Sequence, residues 1–325
     1  MKQKDFLFVD IVSSIFLILL LFTSFLSLNY ITGGSVTVSL VISIVLVICY
    51  FFIIDLLKKN KEILYKNKLM HFSSMFVIMF VGLFAVSFYL MQHLINVEFN
   101  CKDSIKQEAE SKLSQVDQLI ALYKNQSSVD FQNFSATLNT KLREFKNSPN
   151  STNLYNELKG SPYFIDELIL NNPTNINVDD VTSSVSSPIN LNIQNNIKNL
   201  DSTVTLNTDK QRDIFRNWKR MSLITAYDEL NSYVATTQNT VDAMLSQLPI
   251  NKNTSHFKND NSKLPLDNPN ELKRKFKPNF TISFISILFI HCFILIPFFT
   301  TKIRGYSKTI NENNQANQNS GSIEI

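Results

Sequence analysis

Few residues of this chain have the types and spacing that chemistry requires. Histidine occurs four times, at His71, His93, His256 and His291, and cysteine three times, at Cys49, Cys101 and Cys292. Cys49, His291 and Cys292 lie in apolar runs at similar depth and make a possible soft-metal trio, because thiolate and imidazole are the ligands that zinc and copper favour. Adjacent residues on a helix point about 100° apart, however, so His291 and Cys292 do not readily face one ion, and packing or helix-to-helix hydrogen bonding is the expected role. Asp10 and Asp55 are the only acids in the first two apolar runs. A carboxylate buried in hydrocarbon marks a proton or ion path, but both lie near the ends of their runs within reach of Lys58 or Lys59, and a solvated or lysine-paired carboxylate is expected.

The stretch RDIFRNWKRM sets Phe215 and Trp218, the one tryptophan, among Arg212, Arg216, Lys219 and Arg220. Turned outward, Phe215, Arg216, Trp218 and Arg220 form an aromatic and basic contact patch for a partner or an anionic glycan; turned inward, the rings are core and the bases solvated. No HExxH, paired CxxC or GxSxG occurs, and the six glycines make neither a Walker loop nor a dinucleotide fingerprint. No catalytic, cofactor-binding or metal-binding residue is assigned, and the chain is read as not an enzyme.

The elements that must position these residues are membrane helices. The chain has 325 residues, 44% of them hydrophobic, gathered in long blocks. At about 1.5 Å per residue, the runs 6–28, 36–57, 72–95 and 280–300 are each long enough to cross a hydrocarbon core of about 30 Å. The first is too long for a signal-peptide core and no small-x-small site follows it, so it is expected to stay. Gly33 and Gly34 suit a tight turn between the first two spans. Gly82 and Ala85 give the third a small-residue notch for close helix packing. Lysines at 58, 59, 61, 66 and 68 against the single acid Glu62 place the second loop on the cytoplasmic side. Both termini then face the cytoplasm and residues 96–278 are extracytoplasmic, here periplasmic beyond an inner membrane. The cluster Lys273, Arg274, Lys275 and Lys277 before the fourth span pulls the other way. Net charge is only +4, with basic residues at membrane flanks, so the lipid bilayer and not nucleic acid is the expected partner.

Beyond the third span, Ile105, Ala109, Leu113, Val116, Ile120 and Tyr123 recur at helical spacing, so one rod is expected to leave the bilayer through 96–100. A second pattern follows at Phe131, Phe134, Leu138, Leu142 and Phe145, and the polar break NSPNST ends it. Ser161 and Pro162 read as the cap and first position of a short helix. Residues 171–208 read as loop with a minor strand pair. Residues 209–248 read as one helix of about ten turns, stopped by Pro249 and packed antiparallel to the rod. The expected domains are a three-span domain (1–95), a helical extracytoplasmic domain (96–250), a polar tether (251–278), a fourth transmembrane helix (279–301) and a disordered cytoplasmic tail (302–325). The fold class is all-α, with four transmembrane helices (3+1) and a helical bundle inserted between spans three and four. Cys101 faces the soluble side and could link two copies, an unpaired thiol being the expected state.

With FVDIVSSIFLILLLF, VISIVLVICYFFIIDLL and MFVIMFVGLFAVSFYL ahead of an Asn- and Lys-rich helical domain and a late FISILFIHCFILIPFF, the chain resembles TssN, an inner-membrane subunit of Bacteroidota type VI secretion systems. The resemblance lies in layout and composition, so no residue is carried over from it. It implies a non-enzymatic scaffold or anchor subunit that meets other membrane-complex subunits, and further copies of itself, through the outer helices. The alternative is an extracytoplasmic ligand-sensing membrane protein that signals through a separate partner.

Overall fold

The computed structural model describes residues 8–62, 66–250 and 263–300, the side chains of 59–73 excepted. The tail 302–325, the termini's basic residues, His256, the His71 side chain and most of the polar half of the tether lie outside them. Among the described residues all regular structure is helical: α1 (Phe8–Ile31), α2 (Val36–Glu62), α3 (Lys66–Ile95), α4 (Lys102–Asn147), α5 (Thr152–Lys159), α6 (Glu167–Leu170), α7 (Val178–Asn199), α8 (Leu206–Arg216), α9 (Arg220–Ser246), α10 (Pro269–Lys275), α11 (Phe280–Ile294) and α12 (Ile296–Thr300). π turns occupy Asn96–Cys101 and Leu200–Thr205. The chain divides into two compact units, Met1–Asp103 with Leu264–Ile325, and Ser104–Lys263.

In the first unit, three helices are long and apolar enough to cross a membrane: Phe8–Ile31, Val36–Lys58 and the apolar part of a helical run that begins at Ser74. The fourth apolar helix is shorter than expected. α11 has 15 residues, about 22 Å. Pro297 lacks the N–H that would continue the helical ladder, and the chain resumes as the five-residue α12. Leu20, Tyr50, Leu90, Ile287 and Ile294 are buried between these helices, whereas Ile18, Phe22, Ile48, Phe51, Ile78 and Ile285 face outward. Such an apolar outer surface is far more than water tolerates, and lipid solvates it.

Polar groups fasten the unit at its margins. Lys58 pairs with Asp10 at 3.0 Å, as expected for a marginal carboxylate, and the Ser13 hydroxyl donates to the Ile294 carbonyl at 3.0 Å. Between α1 and α2, Gly33 and Gly34 have φ of 63° and 85°. The Gly34 N–H reaches the Asn29 carbonyl at 2.8 Å and the Gly33 N–H that of Tyr30 at 3.4 Å, a Schellman closure in which glycine supplies the left-handed residue. The stretch 263–278, expected as part of a tether, instead holds α10, capped by the Asn268 side chain and burying Leu266 and Leu272. The π turn receives it: Asn96 Nδ2 donates to the Phe276 carbonyl at 3.2 Å and Asn100 Nδ2 to that of Lys277 at 3.3 Å. Lys273 of the basic cluster sits 4.3 Å over the Tyr89 ring, and burial lowers its pKa.

The second unit contains nearly all of α4, at 46 residues the longest helix. The helical run is unbroken from Ser74 to Asn147. The stripe Ile105, Ala109, Leu113, Val116, Ile120 and Tyr123 is buried as its spacing predicts, and so are Phe134, Leu138, Leu142 and Phe145. These two patterns belong to one helix, not two. Between them Ser127 and Asp130 are buried as well, and Asp130 accepts the Ile250 N–H at 3.3 Å, a polar layer between two apolar clusters.

The helix directions follow from which residues meet. Down α4 from Lys146 through Asn139 and Tyr123 to Lys106, the partners rise from Ile176 through Asp179 and Asn196 to Arg216. The chain through α7 and α8 therefore runs antiparallel to α4. Residues 171–208, expected as loop, are mostly helix: Val181, Val185, Ile189 and Ile193 recur at four-residue spacing and carry the segment despite its Asn, Ser and Thr content. Propensity yields to burial there.

α9 differs from the expectation in two ways. The helix foreseen over 209–248 breaks at 217–219, and α9 then runs parallel to α4. Tyr227 meets Glu108, Asn231 meets Lys112 and Ile250 meets Asp130, at sequence separations of 119, 119 and 120. The bundle is up, down and up. Helix α6 likewise starts later than expected, capped by Asp166 rather than Ser161.

One buried ionic group sets the register of the parallel pair. The Lys112 side chain, 8% exposed, bridges Glu108 at 3.2 Å and donates to Asn231, while the Tyr227 hydroxyl donates to Glu108 at 2.5 Å. Removing one partner of such a group strands the other, whereas replacing both with uncharged groups of similar volume does not. Lys112→Ala is expected to cost about 2 kcal/mol, and Lys112→Met with Glu108→Gln to recover most of it, both read from thermal unfolding of the detergent-purified protein.

Candidate functional site

The aromatic pair of RDIFRNWKRM turns inward. Phe215 is 3% exposed and Trp218 7%. Helix α8 ends with the Lys219 N–H on the Ile214 carbonyl at 2.9 Å and the Trp218 N–H on that of Phe215 at 3.3 Å. This is the same closure as at Gly33, with Trp218 (φ 50°) in the left-handed position. A side chain there costs about 1–2 kcal/mol relative to glycine. The buried indole offsets that cost, and the closure reverses the chain from α8 into α9.

The bases around it are partly neutralised. Arg212 is held by Glu110 at 3.1 Å, Asp117 at 2.7 Å and Asp209 at 3.2 Å. Lys219 pairs with Asp213, and the Arg216 and Arg220 side chains are exposed. An aromatic and basic contact patch of Phe215, Arg216, Trp218 and Arg220 is therefore not assembled on the surface: its rings are core.

The possible metal trio is not brought together. Cys49 and Cys292 are exposed while His291 is buried, and no group of metal-ligating side chains converges among the described residues. His291 is a hydrogen-bonding hub instead. Its Nδ1 lies 2.7 Å from the Ile287 carbonyl, which can only accept, so Nδ1 carries the proton. In the neutral ring Nε2 then accepts from the Tyr50 hydroxyl at 2.6 Å, and Tyr50 lies 2.9 Å from the Ser87 hydroxyl. This chain joins α2, α3 and α11, and Phe80 and Phe84 close over the imidazole edge-on. Apolar spacing marks neither Tyr50 nor Ser87; a tyrosine in mid-run, within VICYFFIID, is the available signal.

Gly82 and Ala85 lie on the exposed face of α3, where a Cβ at Gly82 meets nothing within 4 Å. No described helix of this chain fills that notch. Cys101 is fully buried, and burial pushes its thiol up to about 12, so it is placed neither to ionise nor to reach a second copy.

A feature the sequence reading missed stands in the loop before α6. Phe164 is 71% exposed and has φ of 50°. Its neighbours Tyr163 and Ile165 are buried, Tyr163 with its ring 5.4 Å from that of Phe134, and Ile165 donates its N–H to the Leu158 carbonyl at 2.9 Å. Anchored on both sides, the backbone holds the phenyl ring outward. Leu168, four residues on, is 75% exposed. The alternation in YFI hints at one residue facing out, but nothing in it announces a left-handed residue.

Two substitution series test these assignments. At Trp218, both Ala and Gly lose the indole while Gly alone relieves the backbone, so Trp218→Ala should be the more destabilising by about 1 kcal/mol, the reverse of the order in a helix interior. Tyr50→Phe and His291→Leu should each lower the unfolding midpoint, and a double-mutant cycle should return a coupling of about 1 kcal/mol. No family model, no curated protein and no solved structure was found to match the chain, so function is argued from its own residues.

Proposed function

We propose that this protein is a non-enzymatic integral membrane scaffold or anchor subunit of an envelope-spanning protein machine, of the kind found in secretion-system membrane complexes. The observation that carries the reading is Phe164. A bulky aromatic in the left-handed region costs about 1–2 kcal/mol, and within its own chain this one gains no burial in return. Strain of that sort is retained where a side chain must be presented, and large apolar side chains are the usual anchors of protein interfaces. Phe164 with Leu168 is thus the docking point for another subunit.

In this reading the bundle lies in the periplasm, both termini are cytoplasmic, and α11 with α12 completes a fourth crossing of the inner membrane. The open notch at Gly82 and Ala85 then suits the close approach of a second copy's span. The resemblance of the sequence layout to the type VI subunit TssN points the same way. A second reading, a ligand sensor that signals through a separate partner, is favoured by an uncharged groove between α7 and α9.

Presentation at a cost predicts effects of opposite sign. Phe164→Gly should raise the unfolding midpoint by the equivalent of about 1 kcal/mol while weakening co-purification of other envelope proteins. A photo-crosslinking residue at position 164 should yield adducts to other membrane-complex subunits within a large detergent-stable assembly. A lone monomer on blue-native gels, with no adducts, overturns the proposal.

A further inference from the structure

Helices α7 and α9 do not close along their whole length. Pro188 lies inside α7 and deprives the Ser184 carbonyl of its intrahelical donor. Beside it opens a cleft of about 230 Å³ floored by Tyr123, Ile193, Met244 and Leu248. The cleft continues through Asn196, Met244 and Gln247 into a shallower depression of about 480 Å³. On α9 the lining runs along one face from Thr236 to Gln247, about 16 Å of groove.

The chemistry of the lining is one-sided. Among the described residues, none that lines either part is acidic or basic. The polar lining consists of the amides of Asn192, Asn196, Asn239 and Gln247 with the hydroxyls of Tyr123 and two threonines, and each of these groups can both donate and accept. Asn196 Nδ2 donates to the buried Tyr123 oxygen at 3.0 Å, which holds the Asn196 amide in place and leaves its carbonyl oxygen as an acceptor. Burial raises the Tyr123 pKa, so the phenol beneath the groove stays neutral.

A charged ligand finds no counter-charge here. A wholly apolar one would strip water from the amides at about 1–3 kcal/mol for each left unpaired. An extended peptide needs a continuous row of backbone partners along one edge, which side chains three and four residues apart on a helix do not provide. We infer that the groove binds a short uncharged oligosaccharide, its vicinal hydroxyls paired with the amides and its C–H faces laid on Pro188, Ile189 and Met244. This goes beyond the scaffold reading and does not rest on it.

The test is calorimetric titration of the full-length protein in detergent with maltotriose, with triacetylchitotriose and with the uncharged peptide N-acetyl-trialanine amide. The expected result is saturable binding of one of the saccharides. Asn196→Leu, and Ala243→Trp placed to fill the groove from an exposed position, should each weaken it at least about tenfold, with thermal unfolding like that of the parent. No saturable saccharide binding up to about 10 mM, undiminished affinity in a folded Ala243→Trp variant, or preference for the peptide overturns the inference.

Discussion

Everything in the bundle rests against α4, because its stripe is the surface that the chain returning through α7 and α8 and the chain leaving through α9 both bury. Val116, Leu119 and Tyr123 share a core with Ile193 and Leu200 on one side and with Val234, Val241 and Leu245 on the other. Burying each large apolar side chain contributes about 1.5–3 kcal/mol, so a helix with this many such positions can hold two neighbours at once. Apolar burial sets no direction, however. The polar residues on and beside the stripe do that: Asp130 takes the Ile250 N–H, and the Lys112 group admits one register of α9.

The membrane unit uses the same division of labour. Among apolar helices in lipid, packing alone discriminates little between rotations of a helix about its axis. Ser87, Tyr50 and His291 form one hydrogen-bonded chain across three helices, and Ser13 ties α1 to the end of α11. Each polar atom so placed must find its partner or remain dehydrated. In both units, hydrophobic area supplies cohesion and a few buried polar groups choose the arrangement.

Much of the helix content was legible because apolar spacing is a local property. The blocks that became α1 to α3, the α4 stripe and the glycine turn at 33–34 could all be read directly. Misreadings arose where a long-range relation overrode a local one. The segment 171–208 looked irregular by composition, yet a valine or isoleucine every fourth residue was enough once α4 offered a face to bury it. The parallel course of α9 was hidden because the stripe of Ile224, Tyr227 and Leu230 is compatible with either direction. Its break was hidden because the left-handed position itself, ordinarily glycine or asparagine, holds Trp218, although Asn217 at the helix cap was a local signal. Of the residues with potential for chemistry, His291 had its role anticipated but not its partners. The outward turn of Phe164 depends on backbone geometry that no spacing rule reports.

The closure at Trp218 has an optical consequence. As the one tryptophan of the chain, its indole dominates the intrinsic fluorescence, and in the folded bundle that indole is shielded from water. A red shift in emission therefore reports the opening of a single hairpin, between the descending and the second ascending helix. With excitation at the red edge of indole absorption, where tyrosine and phenylalanine hardly absorb, the other aromatic rings of the molecule add almost nothing to that signal.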